Sequence, residues 1–144
     1  MRALLPGMGI IAGDVGLPIS QIPGFIAKSA EVAARYGLEV MSFAHVGDGN
    51  LHTWTLYAED DPAELARAHA AEREMVGYAL ELGGTVTAEH GLGAGYKREF
   101  LLREHPSSTP LMRSLKRLLD PNGILNPGKV FPEESGVGNR ESGA

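Results

Sequence analysis

The sequence predicts an α+β fold in which helices cover one face of a mainly antiparallel sheet. Stretches with apolar residues at helical spacing alternate with short β-prone runs. Two of those runs flank Gly47-Asp48-Gly49-Asn50, a turn sequence that favours a β-hairpin. With 144 residues, the chain is long enough for a single hydrophobic core.

The first half of the chain is expected to form a strand, a helix and a hairpin. The strand is predicted at residues 14–18, and the helix is capped by Ser20 and ends at Gly37. Residues 38–44 and 51–57 form the two strands of the predicted hairpin. The apolar side of the helix is predicted to carry Ile22, Phe25, Ile26, Ser29, Ala33 and Tyr36.

Two further helices are predicted in the second half. Asp60 or Asp61 caps one that runs to about Leu82. After a glycine-rich loop, Ser108 or Thr109 caps another. Its inward side is expected to carry Leu111, Met112, Leu115, Leu118 and Leu119. The predicted order is βαββα, then a loop and a C-terminal helix. It matches a partial ferredoxin-like unit, and a complete unit would need another strand.

Composition and charge exclude several functions. The net charge of −5 supplies no broad positive surface for nucleic acid. The apolar stretch at residues 8–22 is interrupted by Asp14, three glycines and Pro18, so no membrane span is expected. Without cysteine, a metal site must use imidazole and carboxylate ligands, and a cytoplasmic location is expected. We expect one domain over residues 1–132 and a disordered polar tail over residues 133–144.

Two histidines flank the predicted hairpin turn. If Asp48-Gly49 forms a two-residue turn, His45 lies directly opposite His52. Opposed residues have Cβ atoms about 4.5–5.5 Å apart on one face of the sheet, close enough for both rings to bind one divalent ion. The same pair is also compatible with two solvent-exposed surface histidines.

Two further clusters carry polar side chains. Residues 85–93 include Glu89 and His90, whose side chains point in opposite directions if this glycine-rich segment is extended. Taken alone, these two residues also fit a solvated loop. Residues 120–130 contain Asn126 and Lys129, and by themselves indicate a capped helix end followed by two turns.

These three clusters resemble, in order and spacing, motifs of the C-terminal domain of FAD-linked oxidases. The first is His45-Val46-Gly47-Asp48-Gly49-Asn50-Leu51-His52, the second runs from Gly83 to Gly93, and the third from Asp120 to Val130. The group belongs to the vanillyl-alcohol-oxidase-like flavoproteins and includes glycolate oxidase, D-lactate dehydrogenase and D-2-hydroxyglutarate dehydrogenase. The resemblance covers residues 14–132.

The resemblance implies a role for each matching residue. A divalent ion, often Zn²⁺, would be bound by His45, His52 and Glu89, and His90 would act as the catalytic base. Asn50 would lie near substrate or flavin, and Asn126 and Lys129 near the flavin. The expected reaction is oxidation of a small 2-hydroxy acid to a 2-oxo acid with hydride transfer to FAD. Ala88 departs from the family pattern, which usually has glycine there.

The resemblance leaves alternatives open. The chain lacks any segment similar to the N-terminal domain that binds most of the FAD, so a separate flavin-binding domain or subunit is an expected partner. A non-catalytic metal-binding module that pairs with such a chain is the second hypothesis. A His₂Glu hydrolase is a third, although the spacing of His45 and His52 across a turn differs from the helical HExxH arrangement.

We predict that the purified chain is colourless and has no dehydrogenase activity with an artificial electron acceptor, because nothing in it resembles the flavin-binding domain. Visible absorption and a dye-reduction assay test this expectation. A yellow, active preparation would contradict it.

Overall fold

The computed structural model describes residues 6–131, so the predicted disordered tail lies outside the described residues. The described chain divides into two compact units, with the boundary between Leu92 and Gly93. The elements of the first unit are β1 (Met8–Ala12), β2 (Val15–Gly16), α1 (Ile22–Arg35), β3 (Val40–His45), β4 (Asn50–Ala58) and α2 (Pro62–Glu81).

The strands form one antiparallel sheet around β4. On one side β4 pairs with β3, and on the other side it pairs with both β1 and β2. Ala12 lies opposite Trp54 and Val15 opposite Leu51, so β1 and β2 keep one continuous register across the break between them. The predicted first strand is therefore wrong in its bounds. Gly13 and Asp14 interrupt the ladder, and β1 precedes the predicted range.

Both long helices pack on one face of this sheet, which confirms the predicted fold class. α1 contacts β3, β4 and α2, and α2 contacts β1, β2 and β4. The core between the layers contains buried apolar side chains, among them Phe25, Val32, Leu51, Met75 and Val76. Glu72 of α2 is also buried there, and it accepts hydrogen bonds from the hydroxyl groups of Thr53 and Thr55 on β4.

The ends of the two helices agree closely with prediction. Asp61 caps α2, because its carboxylate accepts from the backbone N–H groups of Ala63 and Glu64 at 2.8 and 3.1 Å. Gly37 follows α1 with a φ of +67°, as the helix stop requires. The predicted cap at Ser20 is wrong, since Ser20 lies in a 3₁₀ turn over Ile19–Gln21 and α1 begins after it.

The second unit contains a 3₁₀ turn over Tyr96–Phe100, then α3 (Leu101–Glu104) and α4 (Thr109–Leu119). The turn and α3 lie where a loop was expected. The predicted inward side of α4 is wrong for its leucines, which are exposed among the described residues. These exposed residues are Leu111, Leu115, Leu118 and Leu119. Among residues 6–131, no helix combines the length and apolar character needed to cross a membrane.

The turn after α4 is organised by Asp120. Its carboxylate accepts from the backbone N–H groups of Ile124 and Leu125, both at 2.9 Å, and pairs with the ammonium group of Lys116. The hydrogen bond from Lys116 lowers the pKa of Asp120 below its ordinary value of 3.8, and the two N–H groups lower it further. The ionised carboxylate thus stabilises the end of α4.

We predict that Asp120→Asn lowers the melting temperature at neutral pH and that this deficit shrinks in acid. A lowered pKa means that the stabilisation is present above the unfolded value and is lost as pH falls through the folded value. Thermal unfolding of both proteins from neutral to strongly acidic pH measures the difference. Lys116→Gln removes the main cause of the lowered pKa, so its acid-induced loss of stability should be smaller and should be complete at a higher pH. A deficit that is independent of pH would contradict the assignment.

Candidate metal centre

The hairpin places both histidines on the face of the sheet that the helices leave uncovered. Thr53 and Thr55 point toward α2, so Asn50 and His52 point to the opposite face. His45 is opposite Asn50, and Phe43 is opposite His52. The predicted direct pairing of His45 with His52 is therefore wrong by two residues.

The register differs because the turn is longer than predicted. Val46–Asp48 form a 3₁₀ turn and Gly49 follows with a φ of +75°. A side chain at Gly49 would also meet the carbonyl oxygen of Leu17 at 2.3 Å, so the turn requires glycine there. Since a shift of two residues preserves the face, His45 and His52 remain diagonal neighbours with ring centroids 5.5 Å apart.

Glu89 and His90 reach this face from a bent segment, not from the extended one that the sequence suggested. The segment is attached to β2, where the N–H of Thr85 donates to the carbonyl of Gly16 at 2.8 Å. Beyond it, the chain curls around the carboxylate of Asp14. Consequently both side chains point toward the hairpin histidines.

Three imidazole rings converge on one carboxylate oxygen, Oε1 of Glu89. Its distance is 3.1 Å from Nε2 of His52, 3.4 Å from Nε2 of His90 and 3.9 Å from Nε2 of His45. In a tetrahedral site with bonds of about 2.1 Å, ligand atoms are roughly 3.4 Å apart. The three distances lie around that value, so the spacing of Glu89 from each imidazole is compatible with a shared divalent cation.

His52 is the buried member of the cluster. Its side chain is 4% exposed, whereas those of His45, Glu89 and His90 are 61%, 48% and 48% exposed. The ring of His90 stacks on it with centroids 4.9 Å apart, and the ring of Phe43 lies at 5.0 Å. The cluster is therefore buried at His52 and accessible at its other members.

Asp14 also belongs to this cluster, and the sequence did not point to it as a functional residue. Potential ligand atoms of Asp14, His52, Glu89 and His90 all lie within 4.8 Å of one another. Asp14, however, faces Nδ1 of His52, whereas Nε2 of His52 faces Oε1 of Glu89, the oxygen near which Nε2 of His45 and of His90 also lie. Since the Nε2 side offers more donors, we place the candidate ion there. An acidic residue inside an apolar β-prone run was the available signal, because a buried carboxylate needs partners.

Asn50 lies beside the cluster. Its side chain is buried, and its Oδ1 has no hydrogen-bond partner among residues 6–131. A buried carbonyl oxygen without a partner is unfavourable, so this atom suits contact with a polar ligand.

The other predicted site residues, Asn126 and Lys129, lie in the second unit. Asn126 has a φ of +48°, and its carbonyl accepts from the N–H of Lys129 at 3.2 Å, so both belong to a tight turn.

Ala88, where the family usually has glycine, is exposed. The non-glycine residues of the described chain with positive φ are Asn126 and Val130, so Ala88 is not among them. The alanine thus occupies a backbone conformation that any residue adopts.

Comparison with known proteins identifies relatives of the whole described chain. The family model of the C-terminal domain of FAD-linked oxidases matches residues 1–130. Glycolate oxidase subunit GlcD of Bacillus subtilis is 34% identical over 125 residues, which is 87% of this chain and 27% of that protein. The mitochondrial D-lactate dehydrogenase (cytochrome) of Arabidopsis thaliana is 35% identical, covering 90% of this chain and 23% of that protein.

A solved structure shows the same fold. The 4-ethylphenol oxidase of Gulosibacter chungangensis, in complex with isoeugenol, superposes with a TM-score of 0.70 at 25% identity, over 92% of this chain and 26% of that one. The chain thus spans about a quarter of the length of the relatives it matches.

Proposed function

Because the chain belongs to the FAD-linked oxidases, matching their C-terminal domain, we propose that it is the substrate- and metal-binding part of a flavin-dependent 2-hydroxy-acid dehydrogenase. Glycolate and D-lactate, named in two of its relatives, are both small 2-hydroxy acids. The observation that carries the proposal is the convergence of three imidazole nitrogens on Glu89.

The proposed ligands of the ion are His45, His52 and Glu89. Three protein ligands leave a coordination position for substrate, as in catalytic zinc sites, and imidazole with carboxylate suits Zn²⁺ among other transition metals. An ion held there would supply Lewis acidity to the carboxylate and 2-hydroxyl of the substrate. The half-exposed side chains of His45 and Glu89 leave the outer side of the cluster open to such a molecule.

His90 is the proposed base. Its Nε2 lies on the same side of the cluster as the proposed ligands, and stacking on the buried ring of His52 holds its orientation. A neutral imidazole accepts a proton near physiological pH, so Nε2 of His90 would take the proton of the substrate hydroxyl. FAD, when bound, supplies the acceptor for the hydride.

Three asparagine and lysine residues are proposed to contact the substrate or the flavin. The Oδ1 of Asn50 has no hydrogen-bond partner among the described residues, which supports a contact between Asn50 and a polar group of the substrate or the flavin. Asn126 and Lys129, which share a tight turn, are assigned to the flavin by family resemblance.

A second candidate is a metal-binding module without activity of its own. It is favoured by the location of all the proposed ligands within residues 45–89, so that metal binding needs no other chain. Adding the flavin-binding part of a relative, such as that of the Bacillus subtilis protein, distinguishes the two. Metal-dependent oxidation of glycolate or D-lactate supports the dehydrogenase, and its absence with a flavin-loaded partner supports the module.

We predict that His45→Ala and Glu89→Gln each weaken Zn²⁺ binding by about a hundredfold or more. Losing a direct ligand should cost at least as much as losing an outer-shell partner, about 10–100-fold. Competition titration with a chromogenic chelator measures the affinity. His69→Ala is the matched control, because His69 lies on α2 on the other face of the sheet and its loss should leave the affinity unchanged. Wild-type affinity in both cluster variants would contradict the assignment.

We predict that His90→Ala retains Zn²⁺ affinity within a few-fold of wild type but loses turnover. A general base typically contributes 10²–10⁴-fold, so metal-dependent oxidation with the flavin-loaded partner should fall by about that factor. Chelator competition and dye reduction report the two quantities separately. If His90→Ala weakens Zn²⁺ binding as much as His45→Ala does, His90 is a ligand and its role as base is wrong.

A further inference from the structure

The carboxylate of Asp14 lies between the loop that carries Glu89 and His90 and the hairpin strand that carries His52. The continuous register of β1 and β2 along β4 places Asp14 opposite His52, on the face that carries the cluster. Asp14 is 1% exposed. A carboxylate buried to this extent is stable only when hydrogen bonds replace its hydration.

One oxygen of Asp14 organises the segment that carries Glu89 and His90. Oδ2 accepts from the backbone N–H groups of Ala88 at 2.9 Å, Glu89 at 3.1 Å and His90 at 3.0 Å. It also accepts from the hydroxyl of Thr87. Three successive N–H groups can point at one oxygen only if the backbone curls around it, as in the anion-binding nests of other proteins. This curl directs the side chains of Glu89 and His90 toward the hairpin.

The other oxygen of Asp14 faces His52. Oδ1 lies 3.7 Å from Nδ1 of His52, and that nitrogen is buried and has no hydrogen-bond partner in the part of the chain that the structure describes. Histidines that bind metal through one nitrogen almost always donate the other N–H to a carboxylate or carbonyl, which fixes the tautomer. A small rotation of the ring would close the gap, so that Nδ1 carries the proton and Nε2 presents its lone pair.

We propose that Asp14 is a positioning residue of the metal centre, acting on Glu89 and His90 through the backbone and on His52 through its Nδ1–H. This inference rests on the proposed function, because it presumes an ion on the Nε2 side of His52. It adds a residue from outside the three motifs. The carboxylate of Asp14, which lies between β1 and β2, thus contacts both the loop with Glu89 and His90 and the hairpin residue His52.

Asp14→Asn is the variant that tests this role. Its side-chain oxygen can take the place of Oδ2 and hold the loop, whereas its amide group would face Nδ1 of His52 and cannot accept a proton from it. We expect Zn²⁺ affinity to fall about 10–100-fold, while the metal-free melting temperature stays close to that of wild type. The visible spectrum of the Co²⁺-loaded chain should also change, because the orientation of His52 changes.

Asp61 provides the matched control. Its carboxylate also accepts from backbone N–H groups in the same unit, at the start of α2. Asp61→Ala should lower the melting temperature without changing Zn²⁺ affinity or the Co²⁺ spectrum, because it removes only a structural cap. All affinities are measured on the full chain well below its melting temperature.

The outcomes separate the two proposals. If the wild-type chain binds neither Zn²⁺ nor Co²⁺, the proposed function fails. If the wild type binds metal and Asp14→Asn binds it equally well with the same spectrum, only the positioning role is overturned. If Asp14→Asn loses clearly more than a hundredfold in Zn²⁺ affinity, beyond what an outer-shell partner contributes, Asp14 is itself a ligand, and the positioning role is again overturned.

Discussion

β1, β2 and β3 all pair with β4, and this pairing determines where the side chains of the candidate metal centre lie. β3 brings His45 to one edge of this strand, and the β1–β2 ladder brings Asp14 to the other. Side chains alternate between faces, so a slip of one residue along β4 would turn His52 into the helix-packed core. Burial of the opposite face against α1 and α2, including Glu72 with its threonine partners, opposes that slip.

The same arrangement explains why the cluster is both ordered and accessible. His52 lies at its base, enclosed by the rings of Phe43 and His90, whereas the other members are half-exposed. The loop with Glu89 and His90 has no regular secondary structure, and its backbone N–H groups are satisfied by Asp14. The conformation of the loop thus depends on hydrogen bonds to a buried carboxyl group as well as on packing.

Sequence reasoning succeeded where neighbouring residues decide the structure. The bounds of α1 and α2 follow from apolar spacing and glycine stops, and the cap of α2 from Asp61. The hairpin register was wrong by two residues because a 3₁₀ turn replaced the shorter turn that the glycine pattern favours. The first strand was misplaced because its ladder is interrupted at Asp14, and the leucines of α4 were expected inside although the described residues leave them exposed.

From the sequence alone, the helices α1, α2 and α4, the hairpin and the sharing of one sheet face by His45 and His52 could be determined. These features depend on residues close together in the chain, where periodicity and turn chemistry act. The approach of Glu89 and His90 to that face, and the part of Asp14 in it, were decided by the tertiary structure. The physical reason is that residues distant in sequence meet only after strands have paired and a buried carboxylate has gathered the loop around itself, and local pattern encodes neither event.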